Sequence, residues 1–167
     1  MEGRTKSRLA NSVVVCLLAA AVAQLPAQSA DAAKGKALVE SNGCLACHRI
    51  GDSGSRVGPN LSGIGSRRTV ERLQRSLVAP DEEVLPENRF VEVVLKDGST
   101  IRGRLLNHDA MSVQLLDMKE QLRSIQTAEF RGYTIVTKGL MPSFETKLSM
   151  QEVADIVAFL ASLKAPE

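Results

Sequence analysis

Apolar positions along this chain change their spacing more than once. Residues 13–25 form a nearly unbroken apolar run, ended by Pro26. Asp31 then stands where a helix cap would, ahead of Ala33, Leu38 and Val39, and Gly43 marks the stop. A further helix is expected after Thr69. From residue 84 to 137 the pattern turns from helical to β. Phe90–Leu95 is β-branched and apolar, Asp97-Gly98 lies in a hairpin turn, and 101–106 reads as the returning strand with Gly103 as a bend or bulge. Residues 113–116, 122–125 and 133–136 are three more short strands, with a polar turn at 117–120. The helical period then returns. Ser149-Met150-Gln151-Glu152 forms a capping box, and Val153, Ile156, Val157, Leu160 and Leu163 follow on one face.

The start of the chain carries an address. Arg4, Lys6 and Arg8 precede the apolar run, and Ala21-Val22-Ala23 and Ala30-Asp31-Ala32 offer small-residue cleavage sites, so residues 1–32 are expected to be a secretory signal peptide. The run is shorter than the roughly 20 residues a membrane span requires. Cys16 lacks the small residues that precede a lipidated cysteine. Removing this leader also removes Cys16 and leaves Cys44 and Cys47 as the remaining pair. The mature chain would be nearly neutral, which offers no global field for nucleic acid or a membrane. Aromatics make up only 3% of the residues and Trp is absent, so a bulky prosthetic group has room to fill part of the interior.

Cys44-Leu45-Ala46-Cys47-His48 is the motif that carries chemistry. Two thiols three positions apart reach the two vinyl groups of one porphyrin, and the next His can turn onto the iron, so C-x-x-C-H reads as covalent haem attachment. A redox dithiol would not need the His. A structural zinc site needs a second ligand pair. A plain disulfide is the remaining competitor in an oxidising compartment.

Further along come Gly58-Pro59-Asn60-Leu61 and Gly139-Leu140-Met141-Pro142-Ser143-Phe144. With these, the sequence resembles the class I monohaem cytochromes c. The resemblance implies that the first and last helices cross near the haem edge, close to Gly35 and Phe159. It implies that the carbonyl of Pro59 accepts the ring N–H of His48, and that Met141 is the second axial ligand opposite His48. The expected cofactor-binding set is Cys44, Cys47, His48, Pro59 and Met141, with His48 and Met141 on the metal. Met150 reads as packing, Met111 and Met118 as core or surface, and His108 as an exposed turn residue.

The segment from Val91 to Gly98, then Ile101 to Leu105 and Asp109, resembles the first half of an Sm-like fold, and Phe130-Arg131-Gly132 loosely resembles its second signature. Ser112 stands where that family's RNA-reading Asn would fall, and the charges of this segment balance, so nucleic acid is not an expected partner. The whole is similar to a bacterial haem-binding domain in which a small β module separates the C-x-x-C-H half from the methionine half. The expected fold is thus mainly α, a cytochrome c fold with an inserted β-barrel-like module (α+β overall). Its expected parts are a leader at 1–32, a helical half at 33–83, the Sm-like module at 84–137 and a second helical half at 138–167.

The resemblance implies one haem c, an electron-transfer role in the periplasm, and a redox partner such as a periplasmic dehydrogenase or a terminal acceptor. It implies a carrier and not an enzyme, with no stable membrane span after leader removal. An open or labile sixth position would instead suit a haem enzyme or sensor, with the β segment as its partner-binding part. Arg49, Arg56, Arg67, Arg68, Arg72 and Arg75 face only Asp52 and Glu71 along the same stretch. They are candidates to pair with a haem propionate or to steer an acidic partner.

Overall fold

The structure is a computed structural model and describes residues 29–165. The leader expected at 1–32 lies outside them, apart from its last four positions. The first helix, α1 (Ala32–Ser41), begins where Asp31 caps it: the carboxylate accepts from the N–H groups of Ala33 and Lys34 at 2.9 and 3.2 Å. It ends at Asn42, and Gly43 turns the chain in the left-handed region at φ 70°. A short 3-10 turn, Cys44–Ala46, carries the first Cys of the motif. Two minimal strands follow, β1 (Arg49–Ile50) and β2 (Ser53–Gly54), paired antiparallel. Helix α2 (Val70–Val78) is capped by Thr69 and buries Leu73 and Leu77.

The next five strands are β3 (Phe90–Leu95), β4 (Thr100–His108), β5 (Ser112–Asp117), β6 (Leu122–Gln126) and β7 (Phe130–Val136). All pair antiparallel in the order β6-β5-β4-β3-β7. Helix α3 (Met150–Ser162) closes the described chain, opened by the Ser149–Glu152 capping box. It packs across both α1 and α2. At the crossing with α1, a Cβ on Gly35 would lie 1.9 Å from the Asp155 carbonyl oxygen and 2.9 Å from Phe159 Cβ. Only glycine permits that approach.

Two separate apolar cores result. The helical one joins Val39, Leu73, Leu77, Phe144, Leu148, Val153, Ile156, Val157 and Leu160. The sheet's own core is Val91, Val93, Val113, Leu115 and Ile125, of which the first four are fully shielded. Fully burying such a side chain is worth about 1.5–3 kcal/mol, so the sheet carries a substantial driving force of its own.

The expectation of a mainly α chain is corrected here. Among the described residues helix accounts for 34% and strand for 28%, with three α-helices and a five-stranded sheet. The strands are short but numerous, and their contribution equals that of the helices in kind and nearly in extent. The sheet is also open and not a closed barrel: β6 pairs only with β5, and β7 only with β3. Register shifts at Val94/Leu95 and Leu105/Asn107 bend it without joining its edges. Gly103 is not at either shift. A Cβ there would lie 2.3 Å from the Leu116 carbonyl oxygen, so this glycine serves a close backbone approach between β4 and β5.

Candidate functional site

The site is assembled around a tight loop. The 3-10 turn at Cys44–Ala46 leads into Cys47, and the N–H of His48 donates to the Cys44 carbonyl at 2.9 Å. The chain then returns through β1 and β2, and the Ser55 N–H donates to the carbonyls of Leu45 and His48, both at 3.1 Å. Gly58 closes the loop by donating its N–H to the Cys47 carbonyl at 2.7 Å. A Cβ on Gly58 would stand 3.0 Å from that oxygen and 3.1 Å from His48 Nδ1, so any larger residue would press on the ring.

This loop fixes the chemistry of His48. Its Nδ1 lies 2.9 Å from the Pro59 carbonyl oxygen. A carbonyl only accepts, so Nδ1 carries the proton and donates, which leaves the Nε2 lone pair free for a metal. Burial lowers the proton affinity of the ring below its ordinary value, with the Pro59 carbonyl pulling the other way. The net lowering favours the neutral imidazole that iron ligation needs, and the Pro59 bond sets its tautomer.

Cys44 and Cys47 are free thiols. Cys44 is half-buried and Cys47 exposed. Burial pushes the Cys44 thiol up, opposed by a backbone hydrogen bond, and nearby Cys47 adds to the rise. A thiol held protonated is a poor nucleophile for disulfide exchange, which weighs against the redox-dithiol reading.

Met141 comes from a loop far along the chain. Three hydrogen bonds strap that loop to the end of α2 and the turn after it. The Gly139 N–H donates to Asp81 Oδ1 at 2.9 Å, the Ser143 hydroxyl to the Val78 carbonyl at 2.6 Å, and the Phe144 N–H to the Leu77 carbonyl at 2.9 Å. Phe144 enters the helical core, and Met141, Cys44, Leu45, Leu61 and Ile64 pack against that same core as partly buried groups. The fold thus brings Met141 to the core that also receives Cys44. The other methionines stand away from it: Met150 is 91% exposed, and Met111 and Met118 are also exposed. The reading of Met150 as a packing residue is corrected accordingly; it sits on the solvent side of the first turn of α3. His108 is exposed at the end of β4, 3.2 Å from the Tyr133 hydroxyl.

Several residues at the site gave no clear signal beforehand. Asp155 is buried on α3 and accepts from the Asp31 N–H at 2.8 Å and from Gln151 Nε2 at 2.9 Å. These bonds, that from Asp31 foremost, hold its carboxyl below its ordinary range. It ties the start of α1 to the helix that crosses it. A carboxylate between Val153 and Ile156 was the available clue. Asp81 and Ser143, which hold the methionine loop, are visible only once the long-range contacts are known.

The arginine stretch is largely neutralised, by Asp52 within it and by acids beyond it. Arg49 pairs with Asp52, Arg56 with Glu120, Arg68 and Arg72 with Glu83, and Arg75 with Glu82. Arg67 instead donates to the carbonyls of Asn60 and Ser62 at 2.9 and 3.0 Å. A broad basic face for steering is therefore much weaker than the local sequence suggests.

Among known families, residues 32–91 match the cytochrome c model. No curated protein matches the chain. The match begins with α1, includes the Cys44–His48 motif and Pro59, and ends at the second residue of β3. A domain of this family holds haem covalently, binds iron and works in electron transfer with redox partners, generally as a carrier and not as an enzyme. Among the described residues no helix is long and apolar enough to cross a membrane.

Proposed function

We propose that this chain is an exported electron carrier with one haem c, linked through Cys44 and Cys47 and ligated by His48 and Met141. The observation that carries the reading is the His48 Nδ1–Pro59 bond of 2.9 Å directly after a C-x-x-C pair. That arrangement presents Nε2 as a lone pair beside two thiols. Met141, on a loop strapped to α2 and packed on the core that receives Cys44, is the donor best placed to complete the pair. Bound there, the haem supplies a one-electron Fe(III)/Fe(II) couple.

The protein's own residues do the rest. Pro59 fixes the tautomer and direction of His48. The strap on Gly139, Ser143 and Phe144 sets the position of the Met141 thioether, and a soft donor of that kind favours Fe(II) and raises the potential. Residues 33–83 and 138–167 form the two halves of the haem site, and 84–137 an inserted Sm-like module. Residues 1–32 serve as a leader for the periplasm, and the natural partner is a periplasmic dehydrogenase-like donor or a terminal acceptor.

The competing reading, a haem enzyme or sensor with an open sixth position, is separated by carbon monoxide. The ferrous protein is expected to bind it slowly at neutral pH because Met141 occupies the site. Rapid binding, followed by stopped-flow absorption, would overturn the six-coordinate carrier.

A further inference from the structure

A cleft of about 790 Å³ lies between the haem-motif loop and the start of the sheet. One wall is Gly58, Pro59, Asn60 and Ile64, and Pro59 is the residue that backs the His48 ring. The opposite wall includes Leu85, Glu87, Asn88 and Arg104, the last from β4. Six guanidinium groups line this space against the single carboxylate of Glu87: Arg49, Arg56, Arg67, Arg68, Arg72 and Arg104. Four of the six have acidic partners, Asp52, Glu83 and Glu120, none of which lines the cleft. Arg67 and Arg104 have none among the described residues.

Arg104 is the anomaly. Its Nη2 donates to the Arg56 carbonyl at 3.2 Å. Its Nε is shielded from solvent and has no partner at all, alone among the described side chains in this respect. A buried guanidinium donor left unpaired is costly, because it has lost water and gained nothing. A carboxylate is the acceptor that matches a guanidinium edge.

We propose that Arg104, carried by the β sheet, is a carboxylate-binding residue for the haem, and that the arginine cleft takes a haem propionate. The inference rests on the haem reading above. It makes the sheet part of the haem site, where the sequence suggested a partner-binding part. The haem is the source favoured over an external acidic group for two reasons. The haem would be tethered beside His48, whose Nδ1 bonds the Pro59 carbonyl of the cleft wall, and the Arg104 Nε is shielded from solvent, so that a partner's surface side chain would have to penetrate to reach it. Arg104 acts through charge and hydrogen bonding at the edge of the haem and is a positioning residue, not a ligand.

The test uses the haem-loaded protein and its midpoint potential. Removing a cation close to the iron favours Fe(III), so Arg104→Met is expected to lower the potential, and Arg104→Lys to restore part of the fall. Arg102→Met removes the same charge from the same strand, where Arg102 pairs with Glu92 away from the cleft, and is expected to leave the potential in place. Added acetate at constant ionic strength is expected to have no effect on the unmutated protein. The proposal is overturned if Arg104→Met and Arg102→Met both match the unmutated potential. It is equally overturned if acetate shifts the unmutated potential saturably and Arg104→Met abolishes that response, which would assign the cleft to an external anion. Should Arg104→Met fail to fold, an Arg104→Lys potential equal to the unmutated value, with acetate still inert, would overturn the proposal, and a lowered one would support it. Failure of the underlying haem reading looks different: the unmutated protein would then show no covalent haem in a pyridine haemochrome assay.

Discussion

The helical half and the sheet each have an apolar core, and the two differ in what borders it. In the sheet, Val91, Val93, Val113 and Leu115 are fully shielded by their own neighbours. In the helical half the buried set is larger, yet Cys44, Leu45, Leu61, Ile64 and Met141 remain only partly covered around it. Partly covered residues border the sheet's core as well, namely Leu95, Ile101, Leu105 and Phe130. The difference is in the kind of residue at the margin: around the helical core it includes Cys44 and Met141, the proposed attachment and ligand residues, and around the sheet's core it includes none of these. On the function proposed above, a haem would complete the helical half, whose stability should depend on it, while that of the sheet should not.

The largest effect should come from breaking that dependence. Replacing both Cys44 and Cys47 by Ser is expected to abolish covalent haem and to destabilise the helical half far more than the sheet. Hydrogen exchange would check it, with amides of β3 and β5 staying protected while those of α1 and α3 lose protection. Equal loss in both regions would erase the contrast.

The converse change comes next. Leu115→Ala opens a cavity in the sheet and should cost about 2–5 kcal/mol by denaturant unfolding. The covalent haem and its axial ligation should be retained, because those ligands all stand on the other core. Loss of the ligation signature in this variant would mean that the two cores are not separable.

A smaller effect is expected at the crossing of α1 and α3. The Asp155 carboxyl is held below its ordinary range by the Asp31 N–H, with help from Gln151. A depressed carboxyl stabilises the fold above its unfolded value of about 3.9 and loses that contribution as pH falls through the folded value. Asp155→Asn should therefore lower Tm at neutral pH, and the difference from the unmutated protein should shrink below about pH 4. Thermal unfolding monitored by circular dichroism across that range measures it. A pH-independent difference would place the role of Asp155 in shape and not in charge.

What could be read beforehand follows from how local each feature is. The strand at Phe90–Leu95 and the turn at Asp97-Gly98 were legible because a period of two and a Gly at positive φ are local properties. The Asp31 cap and the Ser149–Glu152 box were legible for the same reason. The hairpin of Arg49–Ile50 with Ser53–Gly54 was not, since strands of two residues have no period to detect. The openness of the sheet depends on whether β6 meets β7, which is a long-range matter. The share of strand was underweighted because the flanking helices carried the known motif. Within the candidate site, Cys44, Cys47, His48 and Pro59 lie close together in sequence, so a local motif is enough to propose them. Asp81, Ser143 and Arg104 act across 40 residues or more, as the 65-residue separation of Ser143 from Val78 illustrates, and no local pattern marks them.

The proposed function rests on a single haem c held between His48 and Met141. It is tested most directly by the absorption spectrum and haem content of the unmutated protein beside Met141→Ala. The account predicts one covalent haem per chain in both. It predicts the weak far-red band of an Fe(III)–thioether bond in the unmutated protein, and loss of that band with a lowered potential in the variant. An unchanged band and potential in Met141→Ala would contradict the assignment of the sixth ligand, and a haem count other than one would contradict the site itself.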